Sequence, residues 1–492
     1  MKKMTKRLLA IACASCLTIG FASCDLTGGA QSKSAYEIAV ENGFEGTEAD
    51  WLDTLTKGKS AYDLAVENGY TGTEEAWLQS LKGSDGKDAE DIDPYAAYQS
   101  AIENDLFEGS YIQFLEQFFN GDIQPVNDTE RLAHNMMSVV GIYCGFKPAG
   151  TIHGRPQVAA PTTSAGSGVV IDLDKENGNA TIITNYHVVY DADSGETDGI
   201  SSAIYLYPYG SLIGYDSTTM TDESYGIKAT FVGGAMDYDI AVLEVQGSDI
   251  LKNSALEEAK LGDSDTCTAG ENVFVIGNAE GDGLSITDGV LSVESEYITM
   301  DSTSGDGTQV EYRVMRTSAA VNHGNSGGAM FDASGRLIGI VNAKNVEEDV
   351  ENMGYALPIN NAIAVMNNAL ANDGVVKRAM LGISVQTVES KAEINANGKL
   401  VITQKCVVAE DLSSGVAAYG KLQKDDVLKS ITLLDDAGKE IKTLAITRLH
   451  QVGDLLLNAR LNYVAKMTVD RGGVEKTVEI KFDKEAYFDI YA

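Results

Sequence analysis

Three short motifs contain a histidine, an aspartate and a serine that together could carry out acyl transfer. His187 lies in TNYHVV, Asp239 in DYDIAVLEV and Ser326 in GNSGG, in that order along the chain. A serine hydroxyl is a weak nucleophile, so it needs an imidazole to take its proton and a carboxylate to hold the imidazole tautomer. The motifs therefore predict a nucleophile, Ser326, with His187 as its base and Asp239 as the orienting acid.

Each motif taken alone also has a structural explanation. A single histidine is more often structural than catalytic, Asp239 could simply begin a strand, and GNSGG could be a flexible loop. The order His, Asp, Ser is that of the chymotrypsin-type triad and excludes the order of the α/β-hydrolases. Glycines on both sides of Ser326 permit a tight turn, and the backbone N–H groups of Gly324 and Ser326 have the spacing of an oxyanion hole.

The elements that must position these residues are mainly β-strands. After Asp122, short apolar runs rich in β-branched residues alternate with Gly, Ser, Asn and Asp, which predicts a sandwich or barrel. A helix is predicted from Asn360 to Asn372, and a smaller mixed α/β unit begins near Ala379. The predicted strands include residues 139–143, 168–171, 181–184, 240–243, 273–276 and 337–341.

A tyrosine-rich segment, Asp191 to Gly226, separates the His and Asp motifs. Tyr205, Tyr207 and Tyr209 alternate in sequence, which favours one face of an ordinary strand over a surface excursion around the site.

Between residues 131 and 373 the motifs TNYHVV, DYDIAVLEV, RTSAAVNHGNSGGAM and GYALPIN resemble those of HtrA (Deg) peptidases. The resemblance implies a chymotrypsin-like double β-barrel and a trypsin-like serine peptidase activity. Ser318 and His323 replace an Asp and a Pro that are common in the family, which could alter the approach to the nucleophile. By the same resemblance an uncharged S1 pocket, selecting small or medium aliphatic residues, would be lined by Ala320, Val321, Ile340 and Val341.

Residues 379–484 resemble the PDZ domain of the same family. The backbone N–H groups of Leu381, Gly382 and Ile383 would bind a peptide C-terminal carboxylate while the peptide adds a strand to the sheet. Asp425 stands where a Gly is usual, and a closing helix is expected from Val452 to Leu461. The alternative is a PDZ-like fold that only packs against the rest of the protein or assembles an oligomer. The family resemblance implies that the oligomer is a homotrimer.

The first 23 residues have the features of a secretory signal. A basic start, MKKMTKR, precedes the apolar LLAIACASCLTIGFAS, and the following Cys24 completes a sequence that resembles a bacterial lipobox. The resemblance predicts lipidation of Cys24 and a lipid anchor in the membrane, with a plain secretory signal as the alternative.

A linker, residues 24–33, leads to repeats in residues 34–120. Two copies are nearly identical and a third is degenerate, and each is predicted to form two short helices. Such units are too short to bury their aromatic residues alone, so stacking on one another is expected. They resemble short repeats on surface proteins of Gram-positive bacteria, and a spacer or assembly arm is the predicted role.

Charge and cysteine usage exclude several functions. A formal net charge of -35, from 72 acidic and 37 basic residues, would repel a phosphate backbone, so nucleic-acid binding is not expected. Cys144, Cys267 and Cys406 are widely separated among apolar neighbours, which predicts buried free thiols rather than a metal site or disulfides. No motif indicates a cofactor.

These features predict a serine endopeptidase at the outer face of a bacterial cytoplasmic membrane. Its expected substrates are unfolded or exported proteins, with peptide C-termini bound at the PDZ domain. The alternative is a catalytically silent surface scaffold or peptide-binding lipoprotein. Labelling of Ser326 by a fluorophosphonate distinguishes the two.

Overall fold

A computed structural model describes residues 128–148, 162–212, 226–304, 307–343, 353–395 and 398–491. The chain divides into two units, Met1–Val126 and Asn127–Ala492, and every described residue belongs to the second. The predicted signal segment, Cys24, the linker and the repeats lie outside the described residues. Within the described part of the chain, no helix is both long and apolar enough to cross a membrane.

The second unit begins with helix α1 (Asp128–Met137) and a closed barrel, barrel 1, with strand order β1-β2-β3-β6-β5-β4. A short helix, α2 (Tyr186–Val189), follows β3, and another, α3 (Asp249–Lys252), follows β6. The predicted strand is confirmed for Tyr205 and Tyr207, which are both buried in β4. It is wrong for Tyr209, which lies just after β4 and is exposed. The strands are β1 (Val139–Phe146), β2 (Thr162–Asp174), β3 (Asn179–Thr184), β4 (Ala203–Pro208), β5 (Ile227–Ala235) and β6 (Ile240–Val245).

Barrel 2 is a second closed barrel, with strand order β10-β11-β12-β9-β8-β7. Helix α4 (Ile359–Ala371) follows it, where the sequence predicts a helix. Two closed barrels confirm the predicted mainly β, chymotrypsin-like fold class. The strands are β7 (Asn272–Gly277), β8 (Ser285–Asp301), β9 (Gln309–Thr317), β10 (Ala329–Asp332), β11 (Leu337–Asn342) and β12 (Gly354–Pro358).

Three core clusters stabilise the two barrels. One fills barrel 1 around Ile142 and Leu243, and another fills barrel 2 around Met330 and Val341. The third joins Ile240 of barrel 1 and Ile276 of barrel 2 to the apolar face of α4. Burial of this shared apolar surface fixes one barrel against the other, so loops from both barrels are held at a common junction.

The C-terminal part contains a six-stranded sheet with the path β14-β15-β16-β18-β19, and β17 pairs with β16. Its helix, α5, spans His450–Leu456, so the predicted bounds of Val452 to Leu461 are wrong. The N–H groups of Asn458 and Ala459 bond three residues back, which tightens the backbone and ends the helix. The strands are β13 (Val376–Ala379), β14 (Val385–Ile394), β15 (Leu400–Val408), β16 (Val427–Leu434), β17 (Glu440–Ala445), β18 (Val464–Arg471), β19 (Val474–Lys481) and β20 (Phe488–Tyr491).

The three cysteines of the described residues are free and buried, as the sequence predicts. Burial raises the pKa of the Cys144 thiol to about 12, and burial does the same for Cys267. Both thiols therefore stay protonated near neutral pH.

Candidate active site

The three residues of the predicted triad come from both barrels. His187 lies in α2 directly after β3, and Asp239 immediately precedes β6, so barrel 1 supplies the base and the acid. Ser326 lies in the loop between β9 and β10 of barrel 2. The junction between the barrels brings these three sequence motifs together.

A continuous chain of hydrogen bonds joins the three side chains. Asp239 Oδ2 lies 2.7 Å from His187 Nδ1, and His187 Nε2 lies 2.9 Å from Ser326 Oγ. The second carboxylate oxygen, Oδ1, accepts the backbone N–H of His187 at 3.0 Å. Asp239 therefore holds both the ring and the backbone of His187, with Nδ1 as donor and Nε2 free to accept the serine proton.

The acid of the triad is buried, whereas the base is partly exposed, as catalysis on a bound substrate requires. Asp239 is fully buried, whereas the His187 side chain is 21% exposed and so remains within reach of a substrate. Burial, and then the charge of Asp239, raises the pKa of the neighbouring Tyr312 phenol, so that ring stays neutral beside the site.

Two buried asparagines support the site. Asn342 Nδ2 donates to Asp239 Oδ2 at 2.9 Å. Asn185 Nδ2 donates to the Asp239 carbonyl at 2.9 Å, while its Oδ1 accepts the Gly327 N–H at 2.7 Å. The sequence motifs predict no role for either residue. For Asn342 the sequence does offer a signal, since an Asn at the end of the otherwise apolar strand β11 must find hydrogen-bond partners when it is buried.

The two backbone groups predicted to form an oxyanion hole are free to act as donors. Among the described residues, neither the Gly324 nor the Ser326 N–H donates to a protein acceptor, although the N–H groups of Asn325 and Gly327 both do. Gly324 has φ +85, where a side chain would lie 2.2 Å from the Asn278 carbonyl oxygen, so only glycine fits. The loop therefore offers two free donors beside the serine hydroxyl.

The four residues predicted to line an S1 pocket do not share one surface. Val321 and Val341 pack in the core of barrel 2, whereas Ile340, the neighbour of Val341 in β11, belongs to the core cluster beneath α4. Ala320 is exposed. Adjacent residues of a strand point to opposite faces, which explains why Ile340 and Val341 separate.

The predicted carboxylate-binding loop lies beside an edge strand. Leu381, Gly382 and Ile383 lie one residue before β14, which ends the path of the C-terminal sheet. None of their N–H groups donates a hydrogen bond within the described part of the chain. Gly382 has φ +70 and Leu381 is buried in the core of the C-terminal sheet.

No cluster of three or more His, Cys, Asp or Glu suited to a metal ion occurs among the described residues.

Fold and site together define a trypsin-like serine peptidase, and residues 166–340 match the trypsin-like peptidase domain family. The chain is 31% identical over 330 residues to the serine protease Do-like HtrA of Bacillus subtilis (strain 168), which covers 66% of this chain and 65% of the relative. It is 31% identical over 333 residues to the serine protease Do-like HtrA of Lactococcus lactis subsp. cremoris (strain MG1363), covering 65% of this chain and 71% of the relative. The chain belongs to the HtrA family of serine proteases.

A third relative is similar over a comparable region. The probable periplasmic serine endoprotease DegP-like of Pseudomonas putida (strain W619) is 31% identical over 319 residues, which is 64% of this chain and 55% of that protein.

Proposed function

We propose that the protein is a serine endopeptidase that cleaves misfolded or exported proteins outside the cytoplasm through an acyl-enzyme on Ser326. The observation that carries this proposal is the hydrogen-bonded chain from Asp239 through His187 to Ser326 Oγ. The free N–H groups of Gly324 and Ser326 support it, because acyl transfer needs donors for a developing oxyanion.

In the first half of the reaction, Ser326 Oγ attacks the carbonyl carbon of the scissile peptide bond while His187 Nε2 takes the hydroxyl proton. The carbonyl π electrons move to oxygen, and the N–H groups of Gly324 and Ser326 stabilise that negative charge. When the carbonyl re-forms, the C–N bond breaks and the imidazolium gives its proton to the leaving amine. Asp239 remains ionised and stabilises the imidazolium.

In the second half, His187 takes a proton from a water molecule, whose oxygen attacks the acyl carbon. The bond between that carbon and Ser326 Oγ then breaks, and His187 returns the proton to the serine. The partial exposure of the His187 side chain allows water to approach the ring. The products are a new carboxylate terminus and the free enzyme.

The test compares the wild type with Ser326→Ala, using casein cleavage and covalent labelling by a fluorophosphonate probe. The expected result is loss of both signals in the variant, since no other hydroxyl accepts from or donates to His187 Nε2 among the described residues. Ser201→Ala is a matched control, because it removes a buried hydroxyl of barrel 1 that donates to the Gly145 carbonyl and not to a triad residue. Equal casein cleavage by wild type and Ser326→Ala would instead favour a surface scaffold.

The proposed location is extracytoplasmic, with a lipid anchor at Cys24 in the outer face of a bacterial cytoplasmic membrane. The basic and apolar start of the chain supports export, and the Pseudomonas relative is named as periplasmic. Fractionation of cells expressing wild type or Cys24→Ser tests the anchor. Equal membrane association of both would contradict it.

The proposed role of residues 379–484 is PDZ-type recognition of peptide C-termini, in a protein that assembles as a homotrimer. The free N–H groups of Leu381, Gly382 and Ile383 and the edge position of β14 support peptide binding.

Residues 34–120 are proposed to serve as a spacer or assembly arm. Sedimentation of the full chain tests the trimer, and a monomer at working concentration would exclude it.

A further inference from the structure

Four consecutive carbonyls of the loop that carries the nucleophile accept hydrogen bonds. A trans peptide directs its C=O and its N–H in opposite directions, so fixing a carbonyl also fixes the N–H of the next residue. The carbonyls of His323 and Asn325 thereby aim the N–H groups of Gly324 and Ser326. The acceptor and donor pairs are His323 O with Glu280 N at 2.7 Å, Gly324 O with Ser167 Oγ at 2.8 Å, Asn325 O with Gly328 N at 2.9 Å, and Ser326 O with Ser167 N at 2.8 Å.

Ser167, in β2 of barrel 1, supplies two of these four donors. Its backbone N–H binds the Ser326 carbonyl, and its side-chain hydroxyl binds the Gly324 carbonyl. The same hydroxyl oxygen accepts the Asn278 N–H at 2.8 Å, so its proton is directed to Gly324. Ser167 is fully buried, and Thr184 Oγ1 donates to its carbonyl at 2.7 Å. Both the backbone and the side chain of Ser167 are therefore fixed.

We infer that Ser167 is a positioning residue for the oxyanion hole, acting through Gly324. This inference rests on the proposed peptidase function. Gly324 has no side chain to restrict its dihedral angles, so only the bonds to its flanking peptide groups keep its N–H directed at the oxyanion. Without the Ser167 hydroxyl, the partly buried Gly324 carbonyl loses that hydrogen-bond donor. Rotation of the Gly324–Asn325 peptide relieves that cost, and the resulting change in the Gly324 dihedral angles displaces the adjoining His323–Gly324 peptide, which carries the Gly324 N–H.

This role differs from a general contribution to stability because it concerns the transition state. Negative charge develops on the substrate oxygen only as Ser326 attacks. A misdirected Gly324 N–H therefore destabilises the transition state more than it destabilises the bound substrate. The variant Ser167→Ala should therefore lower kcat and leave KM nearly unchanged. The expected loss in kcat is about 10- to 100-fold, at or below the effect of deleting an oxyanion donor.

The experiment measures kcat and KM on a peptide substrate for wild type, Ser167→Ala and the control Ser201→Ala. The Ser201 hydroxyl is also buried and donates to a carbonyl, that of Gly145 at 2.7 Å, but it does not contact the nucleophile loop. A peptide boronic acid, whose adduct with Ser326 is tetrahedral, should lose affinity in Ser167→Ala by the same factor as kcat/KM. A peptide that binds without reacting should keep its affinity, and Ser201→Ala should behave as wild type in both assays.

Ser167→Cys provides a second variant in case the alanine variant does not fold. A thiol is a weak donor of similar shape, so its kcat should lie between those of wild type and Ser167→Ala. If the wild type is active and a folded Ser167→Ala or Ser167→Cys variant keeps the wild-type kcat, the inference is wrong. The proposed peptidase function would still stand. Equal losses of boronic acid and unreactive peptide binding would also overturn it. An inactive wild type would refute the proposed function and this inference with it.

Discussion

At the scale of single residues, Asp239 must accept from three donors at once. The backbone N–H and Nδ1–H of His187 and the Nδ2–H of Asn342 all point at its two carboxylate oxygens. An ionised carboxylate has enough lone pairs for all three, and it has no proton to oppose them. This arrangement specifies Asp at position 239 rather than a merely polar residue.

Replacement of Asp239 by Asn should lower kcat by about 10⁴-fold, because the wrong imidazole tautomer would be held. An amide has one oxygen and one NH2, so at least one of the three donors would face another donor whichever way the amide is turned. Steady-state kinetics on a peptide substrate, with the unfolding midpoint as a check of the fold, measure the effect.

Asp426→Asn is the matched control, since Asp426 is also fully buried but binds Arg471 in the C-terminal sheet. That variant should lose stability and retain kcat. A drop of only severalfold in Asp239→Asn would mean that another group controls the tautomer.

The residues of the triad could be predicted from the sequence, whereas their supporting residues could not. His187, Asp239 and Ser326 each lie in a short motif whose order along the chain has chemical meaning. Ser167 and Asn342 have no such local pattern, because Ser167 meets Gly324 across 157 residues and Asn342 meets Asp239 across 103. Such pairings arise only when two barrels close and pack against each other.

At the scale of elements, strands were easier to predict than turns and helix ends. Long apolar runs in β1, β6 and β11 mark buried strands because the barrels cover both faces of each strand. The end of α5 depends instead on the hydrogen bonds of the residues that follow Leu456. Asp425 has φ +67, the left-handed conformation that the usual Gly would adopt, so the turn forms despite the exchange.

The loop before β14 permits a specific test of the proposed peptide site. A Cβ on Gly382 would lie 2.3 Å from Val416 Cβ, and its φ is +70. Gly382→Ala should therefore displace the loop and weaken binding of a peptide with a free C-terminus by about tenfold or more, because the N–H groups no longer converge on the carboxylate. Fluorescence anisotropy with a labelled peptide measures this, and the peptide amide should bind weakly to both proteins.

Gly438→Ala is the control for backbone strain, since Gly438 has φ +80 but open space where a Cβ would lie. It should keep wild-type peptide affinity although it introduces the same kind of backbone strain. Equal affinity of Gly382→Ala and wild type would mean that this loop does not bind the carboxylate.

At the scale of the whole second unit, helix α5 contacts barrel 2 through charged and polar groups. Arg313 of β9 donates to Asp454 of α5, and Asn361 of α4 donates to the other oxygen of the same carboxylate at 3.0 Å. His450, the first residue of α5, lies with Nδ1 3.3 Å from Ser295 Oγ of β8. These contacts partly bury a titratable imidazole between the peptidase barrels and the C-terminal sheet.

His450 should make the folded state sensitive to mild acid. Burial, and then the charges of Arg313 and Arg448, lower the pKa of its imidazole from 6.5 to about 3, while Asp265 opposes them. The imidazole therefore takes up a proton near pH 6.5 in the unfolded chain but stays neutral at that pH in the folded chain. The contribution of His450 to the free energy of unfolding is fully present above pH 6.5 and is lost as the pH falls towards 3. The loss from this group is about 2 kcal/mol at about pH 5.

Urea unfolding of wild type and His450→Gln at about pH 7 and about pH 5 isolates that contribution, because the difference between the two pH values cancels the direct cost of the substitution. The wild type should lose about 2 kcal/mol more than His450→Gln over this interval. His134→Gln is the control for removing an imidazole elsewhere in the chain, since His134 is exposed and paired with Glu257 on the surface. An identical pH dependence in His450→Gln and wild type would mean that the imidazole is accessible to protons, and so that α5 separates readily from barrel 2.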